Sequence, residues 1–96
     1  FKVGWLMIKE TGGSASWYIY DSSRQTFNPH VDSLQADVTN NETTDPSSGS
    51  STVDFLSNGF KQRQSSGGTN SAQSYVYVAF AESPFGGSGV SPAAAF

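Results

Sequence analysis

The chain has 96 residues and no cysteine, so it forms one domain at most and has neither disulfides nor thiolate metal sites to supplement its core. Its net charge is −3 and its 5 Lys and Arg residues are scattered, whereas surfaces that bind nucleic acid cluster positive charge. No stretch approaches the roughly 20 apolar residues of a membrane span. We therefore expect neither nucleic acid nor a membrane among the partners.

Aromatic residues supply most of the apolar surface that is available for a core. The chain contains 7 Phe, 4 Tyr and 2 Trp, while charged residues make up only 14% of it. Because no apolar stripe has helical spacing, this composition predicts short strands joined by polar loops. The predicted fold is all-β, a small antiparallel β-sandwich or jelly-roll-like domain built from hairpins. It covers residues 1–85, and the Gly/Ser/Pro/Ala-rich residues 86–96 are predicted to form an exit tail or linker.

The first predicted strand is Val3–Lys9, in which Gly4 indicates a β-bulge or the close approach of another backbone. Alternation sorts its apolar side chains into two faces, with Val3, Trp5 and Met7 on one and Leu6 and Ile8 on the other. A glycine-containing turn at residues 10–14 leads to a second strand, Ala15–Asp21, so the two strands are predicted to pair as a hairpin. In that strand the two faces carry Trp17 and Ile19 on one side, and Tyr18 and Tyr20 on the other.

The middle of the chain is more polar. Asn28-Pro29 marks a turn, and the weak alternation in Ser33–Val38 predicts a short strand. Residues 39–52 contain no apolar side chain, so ordering them costs backbone entropy with no burial in return. We expect this segment to be a mobile surface loop, and the Ser/Gly-rich residues 65–73 to be a second exposed loop.

The strongest local signal lies in residues 53–64. Asn58-Gly59 stands between two alternating runs, which is typical of a tight β-hairpin because both residues tolerate positive φ. Its predicted inward side chains are Val53, Phe55 and Phe60, and its predicted solvent-facing side chains are Asp54, Lys61 and Arg63.

The stretch Ser74–Glu82 is rich in β-branched and aromatic residues and carries no charge before Glu82. It is therefore predicted to be the central strand of the domain, with both faces at least partly covered. One face carries Val76, Val78 and Phe80, and the other carries Tyr75, Tyr77, Ala79 and Ala81.

His30 is the only histidine and thus the main candidate for catalysis. A hydrolytic site would pair it with Asp32 or Asp37 and a serine, but no sequence feature places a serine on a strained turn. We interpret His30 as a solvent-facing loop residue and expect no enzymatic activity. The aspartates lack the close alternate spacing of a calcium loop, so no metal or cofactor is predicted; they are Asp21, Asp32, Asp37, Asp45 and Asp54.

The most serious candidates for a binding surface are aromatic, since tyrosine and tryptophan combine an apolar ring with a polar tip. The alternative is that they cover the second face of the sheet or pack against a neighbouring subunit. The candidate binding or interface residues are Trp17, Tyr18, Tyr20, Tyr75 and Tyr77.

Four segments, in this order, resemble a β-rich domain found in structural proteins of tailed, often marine, bacteriophages. They are GWLMIK at 4–9, WYIYDSSR at 17–24, DFLSNGFK at 54–61 and YVYVAFAESPF at 75–85. The resemblance covers about residues 3–85, although Glu10 stands where the family usually has Arg. It implies a module of a large virion protein, often beside lectin-like β-sandwiches, with no enzymatic activity attached and no known site residues to transfer.

The sequence therefore predicts a non-enzymatic structural module of a phage virion, in a tail fibre, a tail-associated protein or a capsid-surface protein. Its role would be assembly, decoration or display, with other copies of itself or other virion proteins as partners. The alternative is a carbohydrate- or host-receptor-binding module that contacts a host-surface glycan through exposed Trp and Tyr residues.

Overall fold

Six β-strands and no helix make up the part of the chain that the structure, a computed structural model, describes: residues 1–42, 52–63, 69–83, 85–86 and 89. The strands are β1 (Val3–Glu10), β2 (Tyr18–Asp21), β3 (Leu34–Gln35), β4 (Val53–Leu56), β5 (Gly59–Gln62) and β6 (Tyr75–Ala81). The prediction of an all-β fold is confirmed. Most of the predicted tail at 86–96, and most of the predicted loop at 39–52, lie outside the described residues.

The strands form two antiparallel sheets, one of four strands in the order β3-β2-β1-β6 and one consisting of the β4–β5 hairpin. The hairpin covers one face of the larger sheet, which we call the inner face. Together they bury a single small core made of Val3, Leu6, Ile8, Tyr20, Val53 and Phe55. The opposite face of the larger sheet, the outer face, has no second layer among the described residues.

A β-bulge at Gly4 decides which side chains of β1 enter the core. Val3 pairs with Ala81 while Trp5 pairs with Phe80, so one extra residue is inserted into β1. A Cβ on Gly4 would lie 2.9 Å from the Cα of Glu82, so both predicted roles of Gly4 are confirmed. The bulge also makes the predicted face of Val3 wrong, because it turns Val3 to the inner face with Leu6 and Ile8.

The prediction that residues 74–82 form the central strand is wrong. The central strand is β1, which pairs with β2 on one edge and with β6 on the other. The outer-face side chains of β6 are also not covered, since Val76, Val78 and Phe80 are 45%, 41% and 60% exposed. An uncharged, alternating run is equally compatible with a covered strand and with an edge strand whose apolar face is open.

The β4–β5 hairpin forms as predicted, but its turn lies one residue earlier. Leu56 pairs with Gly59, so the two-residue loop is Ser57-Asn58. Gly59, with a φ of +158°, opens β5, and no described residue other than glycine has a positive φ. The inward positions of Val53 and Phe55 are confirmed by their burial, and Phe60 packs against the core.

Three further expectations need correction. Asp54 was expected to face solvent, but it is mostly buried because Arg63 lies over it and donates a hydrogen bond from Nη1 to Oδ2 at 2.8 Å. Thr52, the last residue of the predicted mobile loop, is buried and its carbonyl accepts a bond from Arg63 N. The predicted strands at 15–21 and 33–38 are shorter, since only Tyr18–Asp21 and Leu34–Gln35 pair.

Substituting Gly4→Ala should destabilise the fold by about 1–3 kcal/mol, because the new methyl group meets the backbone of Glu82 and must push β1 and β6 apart. Urea unfolding followed by tryptophan fluorescence measures this loss. Gly12→Ala is the matched control, since its methyl group would meet only the exposed side chain of Gln73, which can move away. Equal losses for the two variants would contradict the role assigned to Gly4.

Candidate interaction surface

The structure does not bring the five predicted interface residues into one surface. Tyr77 and Trp17 are 59% and 36% exposed, whereas Tyr18 and Tyr75 are half-buried against the core. Tyr20 is fully buried. Its selection as an interface residue was wrong, because the β4–β5 hairpin covers the inner face on which it lies.

Tyr20 is a structural residue of the core. Its side chain lies on the inner face opposite Leu6, and its phenol hydrogen-bonds with the hydroxyl of Thr69, itself buried. Burial raises the pKa of the Tyr20 phenol far above its usual range, so this group remains neutral. Tyr20 thus joins the loop before β6 to the centre of the sheet.

The side chain of Tyr75 is also hydrogen-bonded within the chain. Its hydroxyl accepts a hydrogen bond from Ser71 N at 2.7 Å and shares a second one with Ser71 Oγ at 2.8 Å. Ser71 Oγ donates in turn to Glu10 Oε1 at 3.0 Å, and Glu10 is largely buried. This network connects the end of β1 to the segment before β6, so the polar tip of Tyr75 already has partners.

His30 was expected to face solvent, and this expectation is wrong: the residue is only 3% exposed. Its backbone forms a bridge with Val53, in which His30 N donates to Val53 O at 2.7 Å and Val53 N donates to His30 O at 3.1 Å. Its ring stacks on Phe55, with the ring centroids 4.2 Å apart. His30 therefore adds a short third segment beside the β4–β5 hairpin.

Asn28 holds the His30 ring in place. Its side-chain amide donates to Phe55 O and accepts from Phe55 N, both at 2.9 Å, and its Oδ1 lies 2.8 Å from His30 Nδ1. Because this Oδ1 is an acceptor, the Nδ1 of the ring carries the proton. The other ring nitrogen, Nε2, is buried without a hydrogen-bond partner among the described residues.

No catalytic partner orients His30 within the part of the chain that the structure describes. The Asp37 carboxylate, one of the two expected orienting groups, accepts a bond from Trp17 N instead. The ring nitrogens have no contact with a serine hydroxyl there. Over the same residues, no three His, Cys, Asp or Glu side chains gather as metal ligands, and no helix is long and apolar enough to cross a membrane.

The outer face of the four-stranded sheet carries a continuous set of apolar side chains. One row of neighbouring side chains crosses all four strands, because Leu34 pairs with Ile19, Ile19 with Met7, and Met7 with Val78. Beside this row Trp5 packs on Phe80, with ring centroids 5.5 Å apart. The outer face thus consists of Trp5, Met7, Ile19, Leu34, Val76, Val78 and Phe80.

Charge is present only at the margins of this face. Lys9 is the register partner of Val76, and Asp21 is the register partner of Trp5. The Asp21 carboxylate forms a salt bridge with Arg24. The sequence pattern had already grouped the outer residues of β1 and β6 correctly, apart from Val3, but it did not indicate that they would be left without a covering layer.

Residues 1–84 match the model of a family described as a domain of unknown function, DUF7483. The chain belongs to this family. No curated protein and no solved structure matches it. The inner core, the Gly4 bulge and the apolar outer face of this DUF7483 domain all lie within the matched residues.

The buried His30 should make the stability of the DUF7483 domain sensitive to mild acid. Burial is the main cause that lowers the pKa of His30 below its usual 6.5. It outweighs the backbone of Gln25 and then the carboxylates of Asp54, Asp21 and Asp32, all of which favour the protonated ring. Between the folded-state pKa and 6.5 the unfolded chain binds more protons than the folded chain. Stability is therefore full above this window and falls as pH drops through it.

Urea unfolding at pH values from about 7.5 to about 5.5 tests the predicted acid sensitivity. The free energy of unfolding should fall with pH, by at most about 1.4 kcal/mol per pH unit. The control is His30→Phe, which keeps a ring on Phe55 but cannot take up a proton. Since His30 is the sole histidine, the variant should show a flat profile over this range. A flat wild-type profile, or the same slope in both proteins, would contradict the assignment.

Proposed function

We propose that this domain is a non-enzymatic structural module of a phage virion, in a tail fibre, a tail-associated protein or a capsid-surface protein, and that it acts in assembly, decoration or display. The observation that carries the proposal is the uncovered apolar outer face. Apolar patches of this kind on small domains mark contacts with other proteins. In the proposed particle, a neighbouring subunit covers this face.

The free energy available from covering the outer face is comparable with the stability of a small domain. From their exposed fractions, Val76, Val78 and Phe80 leave roughly 250 Å² of apolar surface in contact with water. Burying that area contributes on the order of 6 kcal/mol before the costs of association. This gain is of the same order as the costs of association, so the face favours a partner that also makes further contacts.

The phage context rests on the four sequence segments, and these segments supply the outer face. The first contributes Trp5 and Met7, the second contributes Ile19, and the fourth contributes the outer side chains of β6. The third forms the hairpin that covers the inner face. The segments that resemble phage structural proteins are thus the ones that build a sheet with one closed and one open face.

Carbohydrate binding is the weaker candidate. A sugar platform needs exposed aromatic rings on the same side, with polar groups beside them. Alternation places Trp17 on the side of Ile19, whereas Tyr77 lies on the inner side, with its ring 5.0 Å from that of Phe60. Tyr20 and the hydroxyl of Tyr75 are unavailable, so the exposed aromatic residues do not favour this function.

Substituting Met7→Lys in the full polypeptide should reduce its incorporation into purified phage particles by about tenfold or more, which corresponds to ~1.4 kcal/mol or more. Met7 lies in the middle of the outer face, where a lysine places a charge against the proposed neighbour. Incorporation is measured by quantitative mass spectrometry of particles, and urea unfolding confirms that the variant is folded.

Leu56→Lys is the matched control for this experiment. Leu56 is exposed to nearly the same extent as Val78, the outer-face neighbour of Met7 on β6, at 39% against 41%. It lies on the other sheet, however, so its substitution should leave incorporation unchanged. Absence of the wild-type chain from the purified particles would overturn the proposed function. Equal incorporation of a folded Met7→Lys variant and the wild type would overturn the role of the outer face.

A further inference from the structure

We propose that two copies of this chain pair through the free edge of β6, antiparallel and with Val78 on the two-fold axis, to form one continuous eight-stranded sheet. This inference rests on the proposed function, since it specifies a partner for the strand that contributes most to the exposed apolar surface. The occupant of the edge is a second copy, and the reasons lie in the backbone, the side-chain order and the charge of β6.

The backbone of β6 has hydrogen-bonding groups available along its free edge. At the two ends of the β1–β6 pairing, Ser74 O accepts from Thr11 N and Glu82 N donates to Lys2 O, both at 2.9 Å. Because antiparallel pairing alternates, every second residue between them also bonds to β1. The remaining residues of β6 are Tyr75, Tyr77, Ala79 and Ala81. Their N–H and C=O groups point to the opposite edge of the strand, where no described strand pairs with them.

The order of side chains in β6 is complementary to itself when read in the opposite direction. With Val78 opposite Val78 of the second copy, Tyr77 faces Ala79, Tyr75 faces Ala81 and Val76 faces Phe80. Each tyrosine therefore lies beside the smallest side chain of the strand, and all four edge-facing residues exchange hydrogen bonds with their counterparts. The two neighbouring registers would instead place Tyr77 opposite Tyr77 of the second copy, or Ala79 opposite Ala79 of the second copy.

The charge and composition of β6 leave this edge unprotected. Natural sheets discourage edge pairing with lysine, proline or bulges, whereas Tyr75–Ala81 contains no charge, no proline and no glycine. The nearest charged residue, Glu82, forms an ion pair with Lys2 at 3.1 Å, and in the proposed register it faces Ser74 of the second copy. The pairing therefore opposes no like charges.

The size of the contact predicts a weak, concentration-dependent dimer. A pair of seven-residue strands buries less than the roughly 800 Å² per partner of a standard interface. Such a contact becomes effective when the copies are held close together, as in a particle, because tethering raises the effective concentration. Pairing also joins the outer faces of the two copies into one surface of double width.

Single-cysteine variants test the geometry directly, because the chain has no cysteine of its own. In the proposed dimer the two Val78 residues form a non-hydrogen-bonded pair with Cα atoms about 4.5 Å apart, which a disulfide can span. Val78→Cys should therefore give a disulfide-linked dimer under mild oxidation, in at least tenfold excess over the controls.

Two controls separate this arrangement from others. Leu56→Cys has nearly the same exposure as Val78 but lies on the other sheet, so it reports random oxidation. Met7→Cys lies one strand in from β6, so the two thiols would be three strand spacings apart, about 14 Å, which is too far for a disulfide. Preferential cross-linking of Met7→Cys would show that outer faces pack on each other instead, and would overturn the edge pairing.

Sedimentation of the wild-type chain provides the second measurement. A monomer–dimer equilibrium should be detectable as the concentration approaches about 1 mM, where a contact of only about 4 kcal/mol is already substantially populated. A chain that stays monomeric there, or equal cross-linking of all three variants, would overturn the pairing. Loss of the pairing with normal particle incorporation would leave the proposed function intact, whereas absence of the chain from particles removes the proposed function alone.

Discussion

The constraint on which the rest of this structure depends is the size of its core, which is sufficient to cover only one face of its main sheet. Among the residues that the structure describes, the buried apolar side chains number six, and all of them lie between the four-stranded sheet and the β4–β5 hairpin. A hairpin of two four-residue strands cannot cover both sides of a sheet. The chain has no disulfide to compensate, so its stability depends on how well the inner face is closed.

Polar groups complete the inner face where apolar residues are too few. His30 and Thr69 are as deeply buried as the core aliphatics, and each acts through specific contacts. The Asn28 side chain takes the place of a neighbouring strand by bonding to both backbone groups of Phe55. Groups of this kind cost free energy when buried unless they are hydrogen-bonded, which explains why His30 is bonded to Asn28 and Thr69 to Tyr20.

The sequence was informative where the structure is local and uninformative where it is not. Both hairpins could be predicted because each depends on turn residues that are close in the chain. The Gly4 bulge could be predicted from the glycine itself, although its partner strand, β6, is distant in the chain. The burial of His30 could not, since it results from pairing with Val53, 23 positions away in the chain. The edge position of β6 was missed for the same reason. Alternation identifies which residues share a face, but when both faces are apolar it does not say which one meets the core.

An open apolar face beside an open strand edge raises the question of whether edge pairing and face burial compete. Four strands at about 4.8 Å spacing and about five residues per strand outline roughly 300 Å² of outer face per copy, which is small compared with the roughly 800 Å² that each partner contributes to a standard interface. Edge pairing leaves the outer face uncovered and doubles its width. It thereby brings the apolar surface nearer to the size that a stable contact requires. In the proposed assembly the two contacts would act in sequence: copies joined along β6 would present the larger face, and a neighbouring subunit would then cover it.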